Sequence, residues 1–461
     1  MQTNLTRRSF IKAGSMGAVG GVLGVATATP AAGASGQKSD GATPAILGGT
    51  PAHKGGWPRW PQWDGADDPQ MADVMKRGVW SRSKLVTEFE SQWAKTIGNK
   101  YALAVVNGTN ALSAAFMELD VGPGDEVIIS PYTFSATIFG VLYQRAIPVF
   151  ADIDPTTYQI DPEKIRAKIT PRTKAILPVH ICGLPSDMEN IMKIAREHKL
   201  FVVEDCCQAH LSAINGRNVG TFGHAGCFSF QTSKVLPIGE GGAITTDDAD
   251  FKDRLYSYHN YGYASSIAPG TYASTIHSFR LGNKIRMAEY QAVIGLIQLK
   301  KLASQHRTRN ENGTWVRAKL AEIPGIKPVR HYDGVTSVSH YMCPFIYDAQ
   351  AFKGLPRDKF VKALAAEGVS VSGGYPNDPL YTQGLLRESF ASRGYRKLYP
   401  AAELDFEKYK ERNRCPKLIE TFQTSVWLSS TNMFLGSKQD MTDIVDAVWK
   451  IYHHAEKINR A

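Results

Sequence analysis

From about Ala45 the chain alternates short apolar runs with longer stretches of helical period, the pattern of an α/β fold. Residues 101–106, 126–130, 147–150, 175–180 and 200–204 are continuous apolar runs of the kind buried in a parallel sheet. Between them, 110–119 and 188–198 carry the spacing of amphipathic helices, and Gly122-Pro123-Gly124-Asp125 marks a sharp turn. A long amphipathic segment from Met287 to about Leu320 leads into a less regular C-terminal third. That third holds short strand candidates at Val371 and at 425–428, and a closing helix over 440–454. The pattern predicts a large α/β domain over 45–300, with a mostly parallel sheet, and a smaller C-terminal α+β domain over 301–461.

The first 34 residues belong to neither. Thr6-Arg7-Arg8-Ser9-Phe10-Ile11-Lys12 is a twin-arginine pattern, followed over 13–36 by a charge-free Gly/Ala/Val stretch with small-residue sites at Ala26-Thr27-Ala28 and Ala32-Gly33-Ala34. Residues 1–34 are therefore expected to be a twin-arginine signal, read by the twin-arginine translocase. The protein would work outside the cytoplasm, tethered to the membrane if the signal stays uncleaved. That route carries proteins already folded, which suits an enzyme that loads a cofactor before export.

Composition narrows the classes. The 461 residues hold 53 Lys+Arg against 43 Asp+Glu, but the charges are interspersed and no basic run is interleaved with aromatics, so nucleic acid is not an expected partner. Cys182, Cys206, Cys207, Cys227, Cys343 and Cys415 are too few for a disulfide scaffold and lack metal-ligand spacing, so they read as small buried apolar residues and no metal is expected. Cys206 and Cys207, as neighbours on a strand, would point to opposite faces.

Four local features carry chemistry. Asn107-Gly108-Thr109 ends a strand and opens a helix, where exposed N–H groups and a hydroxyl suit a phosphate. Pro131-Tyr132-Thr133-Phe134 puts aromatics at the end of a second strand. The run 200–203 ends in Glu204-Asp205, followed by Gln208, at the strand end where open parallel sheets bind ligands. Ser229 precedes Lys234 by five residues, with Gly239-Glu240-Gly241-Gly242 behind. A phosphate cup, an aromatic face, a carboxylate and a positioned amine are together what pyridoxal 5'-phosphate requires. No G-x-G-x-x-G follows the first strand, which argues against a nicotinamide oxidoreductase.

On these motifs the chain resembles the DegT/DnrJ/EryC1/StrS aminotransferases. The likeness runs through Leu85-Val86-Thr87-Glu88-Phe89-Glu90, Asn107-Gly108-Thr109-Asn110-Ala111-Leu112 and Gly122-Pro123-Gly124-Asp125-Glu126-Val127. It continues in Pro178-Val179-His180-Ile181-Cys182-Gly183, Glu204-Asp205-Cys206-Cys207-Gln208-Ala209-His210, the Ser229-to-Gly242 block and Asn283-x-x-Arg286-Met287-x-Glu289. The resemblance implies the aspartate-aminotransferase fold, fold type I of the pyridoxal-phosphate-dependent transferases. It also implies amino transfer from an amino acid such as glutamine or glutamate to a keto sugar or keto cyclitol. By the same resemblance Lys234 would carry the cofactor and act as proton carrier, and Asp205 would hold its ring nitrogen protonated. Gly108, Thr109 and Ser229 would bind its phosphate, Phe134 would stack on the ring, and Gln208 would lie beside it. Asn283 would reach the phosphate from the second subunit of a homodimer. His180 and His210 match family positions and read as supporting or packing groups.

The blocks around Ser229, Lys234 and Gly242 are similar to two branches, the L-glutamine:scyllo-inosose aminotransferases and the 3-amino-5-hydroxybenzoate synthases. Gly374-Tyr375-Pro376, Cys415-Pro416 and Val426-Trp427-Leu428 favour the first. The other readings are a dehydrating or aromatising enzyme on the same scaffold, and an exported binding protein without turnover.

Overall fold

The apolar runs do form strands, and they do so on one sheet. Strands β1 (Tyr101–Val105), β2 (Glu126–Ile129), β3 (Ile147–Phe150), β4 (Thr173–Leu177) and β5 (Phe201–Asp205) are followed by a small hairpin, β6 (Ala213–Ile214) and β7 (Arg217–Asn218). Then come β8 (Ala225–Ser229) and β9 (Gly242–Thr246). The central sheet has the order β1-β9-β8-β5-β4-β2-β3, in which β9 alone runs against the rest. This is the expected mostly parallel α/β sheet. The computed structural model describes residues 42–267, 276–375 and 378–461; the signal expected over 1–34 lies outside the described residues. Among the described residues no helix is long and apolar enough to cross a membrane.

Both faces of the sheet are covered, which is why its strands are apolar without alternation. Leu103, Val105, Val127, Ile129, Leu177 and Val203 pack with the helices Gly108–Glu118 and Ser135–Leu142. The intervening Ile128, Ile176 and Val202 turn to the opposite face, onto Ile191 and Ile194 of the helix Met188–His198. On that face Ala104 and Ala243 meet Phe89 and Trp93 of the helix Lys84–Ile97.

A second sheet, all antiparallel, joins β10 (Ile326–Pro328), β12 (Cys343–Tyr347), β14 (Ser425–Leu428) and β13 (Val371–Ser372) in that order. The remaining strand, β11 (Val335–Ser337), pairs with β6. The long helix Glu289–Leu320 passes through position 300 unbroken. Ala292 and Leu296 pack with Phe89 and Trp93 beside the central sheet, and Val316 and Leu320 pack with Phe345 and Val426 of the second sheet. Residues 44–57 pack on the C-terminal side, where Glu367 accepts the N–H of Ala45 (2.7 Å) and of Ala52 (2.8 Å). Tyr381, Phe390, Tyr395 and Tyr409, by contrast, belong to the apolar cluster of Leu103, Val127 and Leu177 on the central sheet.

Several local expectations shift. The helix after β1 starts at Gly108, because the Asn107 side chain caps it by accepting the Asn110 N–H at 2.8 Å. The closing helix is longer than expected, Lys438–Arg460, because Ser437 and Asp440 form a reciprocal capping box at its start. The C-terminal third is more regular than its sequence pattern implied, holding short helices such as Arg357–Ala366, Gly384–Ala391 and Pro416–Thr424. Cys206 and Cys207 are not on a strand. The Asp205 carboxylate accepts the Cys207 N–H at 3.1 Å, closing a local turn that ends β5 one residue before the pair. Five of the six cysteines are buried, as expected of small apolar residues, and Cys207 is half-buried.

One buried acid ties two helix starts together. Glu289, wholly buried, accepts the N–H groups of Ser83 (2.9 Å), Leu85 (3.0 Å) and Val86 (3.4 Å), so it caps the helix Lys84–Ile97 from outside. Glu289→Ala leaves those donors bare and should lower unfolding stability by about 2–3 kcal/mol in urea titrations; Glu289→Gln, which keeps one acceptor, should recover part of the loss.

Candidate active site

Five parallel strands deliver their carboxyl ends to one side of the central sheet, and the loops leaving them enclose a cavity of about 540 Å³. Its wall includes Gly108 and Thr109 after β1, Phe134 after β2, Val179 after β4, Asp205 and Gln208 at β5, and Ser229 and Lys234 at β8. Seven of the eight residues expected at the cofactor site therefore meet in one place: Gly108, Thr109, Phe134, Asp205, Gln208, Ser229 and Lys234.

Each is held for a physical reason. At Gly108 a Cβ would lie 2.8 Å from the Cys207 sulfur and 2.9 Å from the Ser229 Cβ, so only glycine lets the helix start this close to β8. Gly242 makes the matching approach from β9, where a Cβ would fall 2.4 Å from the Asn107 carbonyl carbon. The helix N-terminus, the Thr109 hydroxyl and Ser229 thus line one end of the cavity, a donor-rich end that suits an anion.

Asp205 is 5% exposed, with its carboxylate oriented at both oxygens. Thr137 donates to Oδ2 at 2.8 Å and the Cys207 N–H to Oδ1 at 3.1 Å. Because the carboxylate can only accept, the Thr137 hydroxyl points its proton at Asp205, and Thr133, 2.7 Å away, donates to Thr137. Its neighbour Glu204 faces the other side of the strand. There it accepts the N–H groups of Gly220, Phe222 and Gly223 at 2.7–2.8 Å. The buried His180 lies 3.2 Å from the same Glu204 carboxylate, and its Nδ1 accepts the Ser186 N–H, so Nε2 carries the proton and donates to Glu204. Of the two adjacent acids, only Asp205 serves the cavity.

Gln208 spans two loops. Its Oε1 accepts the Cys182 N–H at 2.8 Å and its Nε2 donates to the Tyr375 hydroxyl at 2.9 Å. Burial pushes the Tyr375 phenol far up, so it stays protonated. Burial likewise raises the Cys207 thiol well above its ordinary value, leaving it a neutral wall. His210 sits among Trp93, Phe228 and Phe230, donates Nε2–H to the Ser229 carbonyl at 2.8 Å, and is pushed down to about 3 by burial. It is a neutral packing group that fixes the Ser229 backbone. The Lys234 amine lies 4.4 Å from the centre of the Tyr341 ring. Phe134 is 60% exposed at the cavity edge.

Asn283 is the exception. It lines an adjoining groove with Asn107, Thr109, Asn110 and Tyr143, and its Oδ1 accepts the Lys284 N–H at 2.7 Å. Conversely, Thr137, Tyr341 and Tyr375 line the cavity without having been assigned a place there from the sequence. Thr137 could have been found from its i, i+4 spacing to Thr133 across a helix start; Tyr341 carries no local signal.

The residues fit pyridoxal phosphate: a donor-rich pocket where Gly108 leaves no side chain, a carboxylate fixed by two donors, an aromatic face and an amine share one cavity.

The chain is similar to known proteins in sequence and in fold. Residues 61–403 match the DegT/DnrJ/EryC1/StrS aminotransferase family. The chain is 32% identical over 421 residues to a putative L-glutamine:3-amino-2,3-dideoxy-scyllo-inosose aminotransferase of Micromonospora echinospora, covering 88% of this chain and 96% of that one. It is 32% identical over 420 residues to the L-glutamine:2-deoxy-scyllo-inosose aminotransferase of Streptomyces fradiae, covering 89% and 97%. The solved aminotransferase of Psychrobacter cryohalolentis superposes with a TM-score of 0.73 at 30% identity, over 85% of this chain and 98% of that one. The protein belongs to the DegT/DnrJ/EryC1/StrS aminotransferase family and has the type I fold of the pyridoxal-phosphate-dependent transferases.

Proposed function

We propose that this aminotransferase uses pyridoxal 5'-phosphate to move an amino group from glutamine or glutamate to a keto cyclitol or keto sugar. The observation that carries the reading is the meeting of Lys234 and a doubly fixed Asp205 in one cavity. When bound, the cofactor supplies a reactive aldehyde carbon and a ring that withdraws electrons from the carbon being deprotonated. Lys234 holds the cofactor and, once displaced by the donor's amine, moves the proton at the donor's Cα. Asp205 keeps a ring nitrogen protonated, and the Thr137 and Cys207 donors hold its oxygens in place. Thr109, Ser229 and the Gly108 N–H hold the phosphate; Phe134 covers the ring face, and Gln208, braced by Tyr375, borders its edge. Among the described residues, the charged side chains of the cavity wall are Lys234, Asp205 and Glu240. With the first two committed to the cofactor, the charge left on the wall is the Glu240 carboxylate, which disfavours an anionic acceptor and suits a neutral polyhydroxy ketone, in keeping with the scyllo-inosose named for two relatives.

Lys234→Ala should abolish transfer and prevent borohydride from fixing the cofactor mass to the chain. Asp205→Asn should retain the cofactor yet lose about two orders of magnitude in turnover. Wild-type rates in the lysine variant would remove Lys234 from its role.

We further propose a homodimer in which Asn283 completes the phosphate site of the partner subunit. Exposed Phe134, Tyr143, Phe279 and Leu281, each 60–70% accessible, are apolar surface of the kind a second copy would cover. In that arrangement Asn283→Ala and Lys234→Ala proteins are separately weak, and mixing them restores about a quarter of wild-type activity, one intact site in half of the randomly exchanged dimers. An active monomer in sedimentation would refute the arrangement.

Export by the twin-arginine route is the third part of the proposal, motivated by Arg7-Arg8 ahead of the charge-free stretch. Arg7→Lys with Arg8→Lys should keep active, cofactor-loaded precursor in the cytoplasm. Normal export of that double variant would show the segment is no signal.

A further inference from the structure

The loop that carries Lys234 is gripped from outside the cavity. Trp60, in an aromatic strap Trp57-Pro58-Arg59-Trp60-Pro61-Gln62-Trp63, donates its indole N–H to two carbonyls, Thr232 at 3.1 Å and Lys234 itself at 3.2 Å. The indole rests on Arg309, whose guanidinium carbon is 4.8 Å from the ring centre. Arg309 is wholly buried. Its Nε donates to the Thr431 carbonyl at 2.6 Å, and its two terminal nitrogens have no hydrogen-bond partner among the described residues. Burial alone pushes this guanidinium down to about 9. A buried cation without an acid beside it is costly, and the Trp60 ring face gives it compensation.

The contacts close into a ring. Thr431, which accepts from Arg309, donates its hydroxyl to the Tyr341 carbonyl at 3.0 Å. The Tyr341 hydroxyl lies 3.2 Å from the Ser233 hydroxyl, and the Lys234 amine sits over the Tyr341 ring. One buried cation thus supports two arms. Trp60 holds the lysine by its main chain, and Tyr341 holds it by its amine.

We propose that Trp60, seated on Arg309, and Tyr341 are positioning residues that fix where the Lys234 amine stands when it captures the cofactor and when it moves the substrate proton. A free lysine side chain has four rotatable bonds, and a proton carrier displaced by about an ångström can lose up to two orders of magnitude in rate. Two anchors, one on the main chain and one at the amine, remove that freedom.

The inference rests on Lys234 being the cofactor lysine. The test therefore begins with capture of pyridoxal phosphate by apo-protein, trapped with borohydride and located on the peptide holding Lys234. No capture by wild type would defeat the proposed function itself. Trp60→Phe keeps an aromatic ring beside Arg309 and removes the indole N–H together with the five-membered part of the indole. It should capture about tenfold more slowly, lower kcat by a similar factor with donor KM within about twofold, and speed amide exchange in the 229–236 peptide. Exchange in the helix Glu289–Leu320 should not change. Wild-type capture and kcat in Trp60→Phe overturn the proposal, as does a loss confined to KM. Should that variant fail to fold, Tyr341→Leu removes the ring under the amine as well as the Ser233 contact and should slow capture about tenfold; capture at the wild-type rate there also overturns it.

Discussion

A carboxylate buried at the end of β5 sets the terms for everything around it. Asp205 is almost fully enclosed, and an enclosed carboxylate is tolerated only where donors replace water at its oxygens. Those donors come from two directions, the Thr137 hydroxyl on the helix after β2 and the N–H of Cys207 in the turn after β5 itself. Meeting that demand brings the β2 loop over the sheet edge, ends the strand before Cys206, and delivers Gln208 to the cavity wall. The close approach at Gly108 follows from the same turn, because the sulfur of Cys207 is the atom that a side chain at 108 would strike. The chemical site and the packing of the strand ends are one arrangement.

The parts legible in the sequence share a property: their signal is local. Continuous apolar runs mark strands buried on both faces, and the residues at their carboxyl ends mark the cavity, so Asp205, Gln208, Ser229 and Lys234 could be singled out from order along the chain. Where the reading fell short, the determining contact was distant in sequence. Tyr341 reaches Lys234 from 107 positions away, and Trp60 reaches the same loop across |i−j| = 174. Nothing within a few residues of either distinguishes it from a core aromatic. The placing of Cys206 and Cys207 on a strand failed for a different reason: side-chain capture of a backbone N–H stopped the ladder, and that competition is invisible to hydrophobic period.

Glu204 and Asp205 show how much one residue of register decides. Strand alternation sends them to opposite faces, so chemically similar groups acquire unrelated tasks. Asp205 meets the cavity, while Glu204 gathers three N–H groups of the 220–223 loop and the proton of His180. A shift by one position would exchange a reactive carboxylate for a structural one.

Glu204 is one of several buried acids that act as staples rather than as surface charge. Glu289 accepts three N–H groups at the start of the helix Lys84–Ile97. Glu367 accepts those of Ala45 and Ala52 together with the Lys450 ammonium at 2.9 Å, and Glu90 accepts the Ala104 N–H at 2.7 Å while paired to Arg82. In each case a carboxylate satisfies backbone donors that water cannot reach, so removing it exposes several unpaired groups at once. The staples lie where segments far apart in the chain meet: 83–86 with 289, 45–52 with 367 and 450, 204 with 220–223. Apolar packing is non-directional and would let such segments slide, whereas a carboxylate bound to two or three N–H groups has one acceptable position. The cavity is built from loop ends at 107–109, 133–137, 205–208, 229–234 and 341, so its geometry depends on segments that cannot slide. Directional bonds to buried acids supply that restraint, and the apolar core supplies the bulk of the stability beneath it.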